Sequence, residues 1–212
     1  MVRKTREEAE ATRDAILDAA SIVFVKHGIA NASLENIAAA AGVTRGAIYW
    51  HFKNKTDIVL AMYDRLYTSF SDTLLENLQN DHPCPLQQLR ELMTELLLDL
   101  ERNALKRRTL TLFFLKCDYS GDLEKLLVSK NQRRVEHVRL FGEYFARAKQ
   151  KNHLPPEADT CILALSFTCY VTGMAYEYLR NPDLFNLEQQ APALVSQFFA
   201  GLHCRLPSAA VQ

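Results

Sequence analysis

Between Ala41 and Lys55 the chain reads AGVTRGAIYWHFKNK. Several of these side chains suit the surface of a nucleic acid. Arg45 carries a fork of donors that matches guanine O6 and N7, the commonest specific contact to a base edge. Gly46 has no side chain, so its backbone can come close to another surface. Thr44 can cap a helix beginning at Arg45 and offer its hydroxyl or amide to a phosphate at the positive end of the helix dipole. Tyr49, Trp50 and His51 bring an O–H, an N–H and a ring nitrogen suited to phosphate contacts, which position a reader without specifying sequence. Ala47 is small enough to meet a thymine methyl, and Lys55 adds a charge at the start of the next helix. Singly, the rings fit a core and Gly46 is a weak point in a helix. Together they do not, because a seven-residue helix cannot bury Ile48, Tyr49, Trp50 and Phe52 on one face. Exposed aromatics beside Arg and Lys mark a binding surface.

The elements around this segment are those needed to present it. Ile16, Ala20, Val23 and Phe24 recur at helical spacing, and His27-Gly28 is a stop. Ser33 is placed to cap a second helix, whose Leu34, Ile37, Ala38 and Ala41 give one apolar face. Gly42 ends it with a tight turn. Thr44 opens a third helix over roughly 45–51, with Ile48, Phe52 and Val43 turned inward. Three helices within the first ~52 residues, the last two joined by a short turn with glycine, form a helix-turn-helix pattern. In that motif the second helix of the pair enters the major groove.

Asn54 caps a long helix that runs to about Asn80 and carries Leu60, Tyr63, Leu66, Tyr67, Phe70 and Leu74 as a seam. NDHPCP breaks the chain. Further helices are expected at about 86–103, 105–118, 122–152, 157–180 and 188–205, with Pro192 either starting or kinking the last. The pattern predicts an all-α protein of about nine helices. A helix-turn-helix module spans 1–54, a larger helical domain spans 55–212, and the helix 55–80 connects them.

The stretch LENIAAAAGVTRGAIYWHFKNKTDI resembles the DNA-binding signature of the TetR family of bacterial repressors. VRKTREEAEATRDAILDAA, RRTLTLFFLKCDYSGD and LPPEADT resemble the branch that controls multidrug efflux pumps, the AcrR-like repressors. The resemblance implies an all-helical homodimer that binds a palindromic operator on double-stranded DNA and is released by a small ligand. It places DNA contacts on Ser33, Thr44, Arg45, Gly46, Tyr49, Trp50, His51 and Lys55, with Arg3 and Lys4 as a basic arm.

The helices 157–180 and 188–205 are apolar nearly all round, so each is expected to have one face on the core and one on a second copy, giving a four-helix dimer interface. An effector site is expected between the helices of 55–212. Its inward-looking candidates are Leu66, Tyr67, Phe70, Met93, Leu96, Leu110, Phe113, Phe114, His137, Phe141, Phe167, Val171, Met174 and Tyr176, with Thr172 and His137 as polar contacts. Where efflux repressors of this type often carry polar groups on the 105–117 helix, this chain offers Leu110 and Phe114. Flat, lipophilic effectors follow from that.

Other function classes find little support. No run approaches ~18 apolar residues, so a membrane span is not expected. The first residues lack the apolar region of a signal peptide, which points to the cytoplasm. The five cysteines show no CxxC pair and no metal-ligand spacing, and Cys117, Cys161 and Cys169 read as buried thiols. There is no HExxH, no GxSxG and no Gly-rich phosphate loop, so neither catalysis nor a cofactor is expected. Zero net charge is unevenly spread: residues 1–55 hold eight Lys/Arg against six Asp/Glu, and 56–100 hold two against eight. Only the contacting face of a DNA-binding protein must be positive. A repressor of a metabolic or lipid-related operon fits the same residues, and a helical protein–protein adaptor is the alternative from a different class.

Overall fold

The computed structural model describes residues 6–202, which contain helices and no strand. Arg3 and Lys4, Cys204 and the end of the 188–205 segment lie outside those residues. Helix α1 (Arg6–Asn31) is interrupted at Gly28, where φ is 77°. This left-handed value is one a residue with a Cβ adopts only under strain. Ser33 caps α2 (Leu34–Ala41): its hydroxyl accepts from the Asn36 N–H at 3.1 Å, while the Asn36 side chain accepts from the Ser33 N–H at 3.2 Å. Two orphan donors are thereby satisfied together. Gly42, with φ 64°, turns the chain into α3 (Arg45–His51), which Thr44 caps by accepting from the Ala47 N–H at 3.1 Å. Asn54 accepts from the Asp57 N–H at 2.9 Å and Asp57 from the Lys53 N–H at 3.0 Å, opening α4 (Lys55–Gln79). Beyond it come α5 (Pro85–Arg102), α6 (Ala104–Thr111), α7 (Glu124–Gln150), α8 (Thr160–Arg180) and α9 (Leu187–Gly201).

The chain divides into two compact units. One takes the residues up to Asp72 plus Asn103–Arg133; the other takes Thr73–Arg102 plus the chain from Arg134 onward. Helices α4 and α7 therefore contribute to both. In the first unit Ile16, Leu17 and Phe24 of α1, Ile37 of α2, Ile48 of α3 and Ile58 of α4 are all fully buried in one core. Each such side chain contributes about 1.5–3 kcal/mol of burial. Polar ties hold the outer elements to α1. Arg65 on α4 pairs with Asp14 at 3.3 Å and Asp18 at 2.7 Å, and Lys116 donates to the Val25 carbonyl at 2.9 Å. In the second unit Phe167 of α8 is the hub of a ring cluster, with Phe198 at 4.9 Å, Phe141 at 5.1 Å and Phe199 at 5.5 Å between centroids. A two-pronged Arg102–Glu188 pair at 2.6 and 2.9 Å ties α5 to α9.

Three departures from the sequence pattern, and one choice between alternatives, are informative. The helix expected over 105–118 stops being α-helical at Thr111 and continues as a π-helical turn over Leu112–Lys116. Thr109 and Thr111 return their hydroxyls to the carbonyls of Leu105 and Arg107, four residues back. That arrangement bends helices. The wider turn leaves Leu112 and Phe113 both buried. Helix α8 begins at Thr160, because Asp159 caps it by accepting from the N–H groups of Cys161 and Ile162. Of the two places expected for Pro192, at the start of the last helix or inside it, the structure has the second: Asn186 caps α9 and the proline lies within it. Cys161 and Cys169 are exposed and Cys117 is half-buried, against the expectation of buried thiols. Helix α8 buries Ala164, Phe167 and Leu179 on one side and leaves Ile162, Leu165 and Tyr176 exposed on another.

Candidate nucleic-acid interface

Thr44, Arg45, Gly46, Tyr49 and Trp50 all lie on the surface, and Trp50 is 72% exposed. Ile48 and Phe52, on the opposite side of the same short helix, are buried. Helix α3 is thus anchored by two apolar residues and turns its polar rings to water, as the spacing requires. His51 is half-buried, its ring edge-on to Trp50 at 4.5 Å. The backbone of Gly46 is not left-handed, and a Cβ placed there would meet only the Thr44 hydroxyl at 3.8 Å, an ordinary contact. Nothing inside the protein calls for glycine at this position. A glycine in a helix costs about 1 kcal/mol relative to alanine. Its place on the exposed face suits the close approach of another molecule.

Arg45 is the most constrained member of the set. Its Nη1 pairs with Glu35 at 2.7 Å and its Nη2 donates to the Tyr49 hydroxyl at 3.1 Å, with the guanidinium over the Tyr49 ring at 5.4 Å. The Tyr49 hydrogen bond and the Glu35 charge raise its already high pKa, so it is a permanent cation. Ser33 is half-buried, and its hydroxyl serves the α2 cap. Lys55 is half-buried and its ammonium donates to the carbonyls of Ala30 at 2.8 Å and Ala32 at 2.9 Å. It closes the end of α1 as well as carrying charge. Neither the Glu35–Arg45 pair nor the Lys55 tie has a signature in the sequence: the partners are 10 and 23–25 residues apart, and only the packing of α2 on α3 and of α4 on the Ala30–Ala32 turn brings them together.

The residues expected around an effector fall in both units. Leu66, Tyr67, Phe70, Leu110, Phe113 and Phe114 belong to the first, and Met93, Leu96, His137, Phe141, Phe167, Val171, Thr172, Met174 and Tyr176 to the second. In the first unit Tyr67 and Phe113 both pack on Tyr63, with ring centroids at 4.3 and 5.2 Å. Tyr63 lies outside the expected site residues, yet it is fully buried, and burial, with Tyr67 adding, pushes its pKa far above the ordinary value. In the second unit Met93, His137, Phe141 and Phe167 are buried. Tyr176 departs from the expectation of an inward position. It is 38% exposed, on a face of α8 shared with Ile162, Leu165, Cys169 and Gly173. These are spaced by three and four residues, so they form one stripe. A groove in the second unit, lined by Cys84, Leu86, Gln87, Arg90, Asn152, His153 and Phe199, contains none of the expected effector residues.

Among the described residues no group of His, Cys, Asp and Glu could hold a metal ion, and no helix is long and apolar enough to cross a membrane. Known proteins place these features in context. Residues 16–62 match the bacterial regulatory proteins of the tetR family, and residues 84–204 match the C-terminal region of the MAATS-type transcriptional repressors. The chain is 34% identical over 187 residues to the HTH-type transcriptional regulator TtgR of Pseudomonas putida, covering 88% of this chain and 89% of that one. It is 31% identical over 191 residues to the HTH-type transcriptional regulator AcrR of Shigella flexneri, covering 90% and 89%. Among solved structures it resembles NalD, the secondary repressor of the MexAB-OprM multidrug efflux pump in Pseudomonas aeruginosa, with a TM-score of 0.78 and 34% identity over 93% of this chain and 98% of that one. It also resembles SmeT in complex with triclosan, with a TM-score of 0.80 and 28% identity over 93% and 99%.

Proposed function

This chain belongs to the TetR family of bacterial regulatory proteins and is a DNA-binding transcriptional repressor, and from that premise we propose that it controls a multidrug efflux operon and is released from its operator by a small lipophilic effector. The observation that carries the reading is the surface of α3. A permanent cation, a glycine no internal contact requires and two exposed aromatic rings share one face of a helix anchored from behind. In this reading Arg45 reads a base edge, while Thr44, Tyr49, Trp50 and His51 hold the phosphate backbone. Ser33 and Lys55 contribute chiefly by fixing the ends of α2 and α1. The region 1–54 acts as the reading head, and 55–212 binds effector and the second copy.

The exposed stripe of α8, with α9, is the proposed dimer surface. A dimer sets two recognition helices about 34–36 Å apart, one turn of DNA, and so reads a palindrome. The effector acts as a selector of conformations: if it binds better when that spacing is lost, it draws the population away from DNA by a coupling of about 1–3 kcal/mol. Leu110 and Phe114 in place of polar groups favour flat, lipophilic compounds. Similarity to repressors whose names cite efflux pumps supports the choice of operon.

Fluorescence anisotropy tests this directly. The protein is titrated onto the DNA upstream of its own coding region and onto a scrambled duplex, at two salt concentrations. Selective binding that weakens steeply with salt is expected, since each neutralised phosphate releases counterions. Triclosan is then added to the bound complex, and release is expected. Equal affinity for operator with and without a saturating lipophilic effector would remove the induction part of the reading.

A further inference from the structure

The pair between Arg45 and Glu35 is too exposed to serve stability. Its side chains are 61% and 55% accessible. Solvent and salt screen pairs of this kind, so they add little to folding stability. Helix α2 does not depend on Glu35 for its start, because Ser33 and Asn36 already satisfy its first donors. What the pair does is occupy the arginine. Nη1 is held by Glu35 and Nη2 by Tyr49, and these are the terminal nitrogens from which a bidentate contact to guanine is made.

The consequence differs between the two kinds of site a duplex offers. A phosphate can take the guanidinium, but Glu35 is then left unpaired in a strongly negative field, and like-charge juxtaposition of that kind disfavours the wrong partner. A G·C pair presents two acceptors, O6 and N7, followed by one donor, the cytosine N4 amino group. Arginine supplies the donors and a carboxylate accepts from cytosine N4. We propose that Glu35 is a specificity-determining residue of DNA recognition, which joins Arg45 to read a G·C pair as a unit and keeps the arginine from settling on phosphate. This rests on the reading of α3 as the DNA-contacting helix.

The full-length protein and its Glu35→Gln variant are compared on two duplexes: one selected by the wild-type protein from a random-sequence library, and a scrambled control. Glutamine keeps the size and removes the charge, and the exposed site predicts an unchanged melting temperature. The expected result is a fall of about tenfold in the ratio of selected to scrambled affinity, at the low end of what one bidentate base contact discriminates. Much of that fall comes from tighter binding to the scrambled duplex, and one G·C position in the selected site becomes tolerant of substitution. In an Arg45→Ala background the same Glu35→Gln change leaves the ratio as it was. If Glu35→Gln shifts both duplexes by one common factor, or acts identically with and without Arg45, Glu35 is a general charge near DNA and the inference is overturned. If the wild-type protein selects no sequence at all, the reading of α3 itself fails, which is a separate result.

Discussion

Residues 45–51 and residues 162–176 both hold large side chains in water, with opposite chemistry. On α3 the exposed rings Tyr49 and Trp50 are interleaved with Arg45 and His51, and their O–H and N–H groups stay available to polar partners. On α8 the exposed residues Ile162, Leu165, Cys169, Gly173 and Tyr176 form a stripe that carries no charge of its own, with one guanidinium, that of Arg134, at the Cys169 sulfur. The first surface can satisfy a partner made of phosphates and base edges. The second offers little to such a partner and much to another apolar helix, because steps of three and four residues are the spacing of a helix–helix seam. Exposure alone is therefore a poor guide to function; what accompanies the exposed ring or alkyl group decides the partner. It also explains why α8 read from sequence as buried on every side. Within one chain only the Phe167 face is covered; in the proposed dimer the second copy covers the other.

The largest effect is expected when the apolar stripe is made polar. Ile162→Glu with Leu165→Glu places charge at positions 62% and 52% exposed, so the single chain should still fold. Sedimentation should show a monomer. Operator affinity should fall by about a hundredfold or more, because linking two reading heads multiplies affinity by about 10²–10⁴. A persistent dimer would mean that the stripe is not the seam. Arg45→Ala is the next largest expected change. It should lose about 1–3 kcal/mol at one base position and relax selection there, while leaving the dimer intact. Trp50→Ala should do something different again: weaken binding to every duplex by a similar factor, about tenfold or less, with no change in selectivity. A sequence-dependent loss at Trp50 would assign it to a base edge and not to the backbone.

The two regions were unequally legible in the sequence. Helix α3 could be read almost to the residue, because its signals are local: Gly42 for the turn, Thr44 for the cap, Ile48 and Phe52 for the buried side. The same holds for Asn54 at the start of α4. What the sequence did not carry was contact between elements. The position of Lys55 in the sequence suggests a charge toward DNA, yet its ammonium is engaged by the carbonyls of Ala30 and Ala32. Nothing local to Glu35 marks it as the residue that holds Arg45. The π-helical turn over Leu112–Lys116 has no mark in the sequence, because a hydrophobic run has the same composition whether it is wound as α or π. The sequence does not show which way Tyr176 points, because α8 has apolar residues on every side and periodicity cannot choose among equivalent faces.

The finest distinction between the two surfaces lies in their glycines. Gly46 and Gly173 each have room for a methyl group: a Cβ at Gly46 meets only the Thr44 hydroxyl at 3.8 Å, and one at Gly173 meets nothing within 4 Å. Alanine at either site should therefore raise the folding stability of the single chain, by about 0.5–1 kcal/mol in a helix interior and less in the first turn, where Gly46 lies. Stability and function should then part company in opposite places. Gly46→Ala sets a methyl between the α3 backbone and the duplex, and should weaken operator binding while the dimer dissociation constant stays put. Gly173→Ala sets one on the α8 seam, and should weaken the dimer while leaving the affinity of each reading head unchanged. Chemical denaturation, sedimentation and anisotropy on the same two variants separate the effects. If Gly46→Ala gains stability and binds DNA as well as before, the backbone of α3 does not approach the duplex closely, and the glycine has no role that the surface of α3 explains.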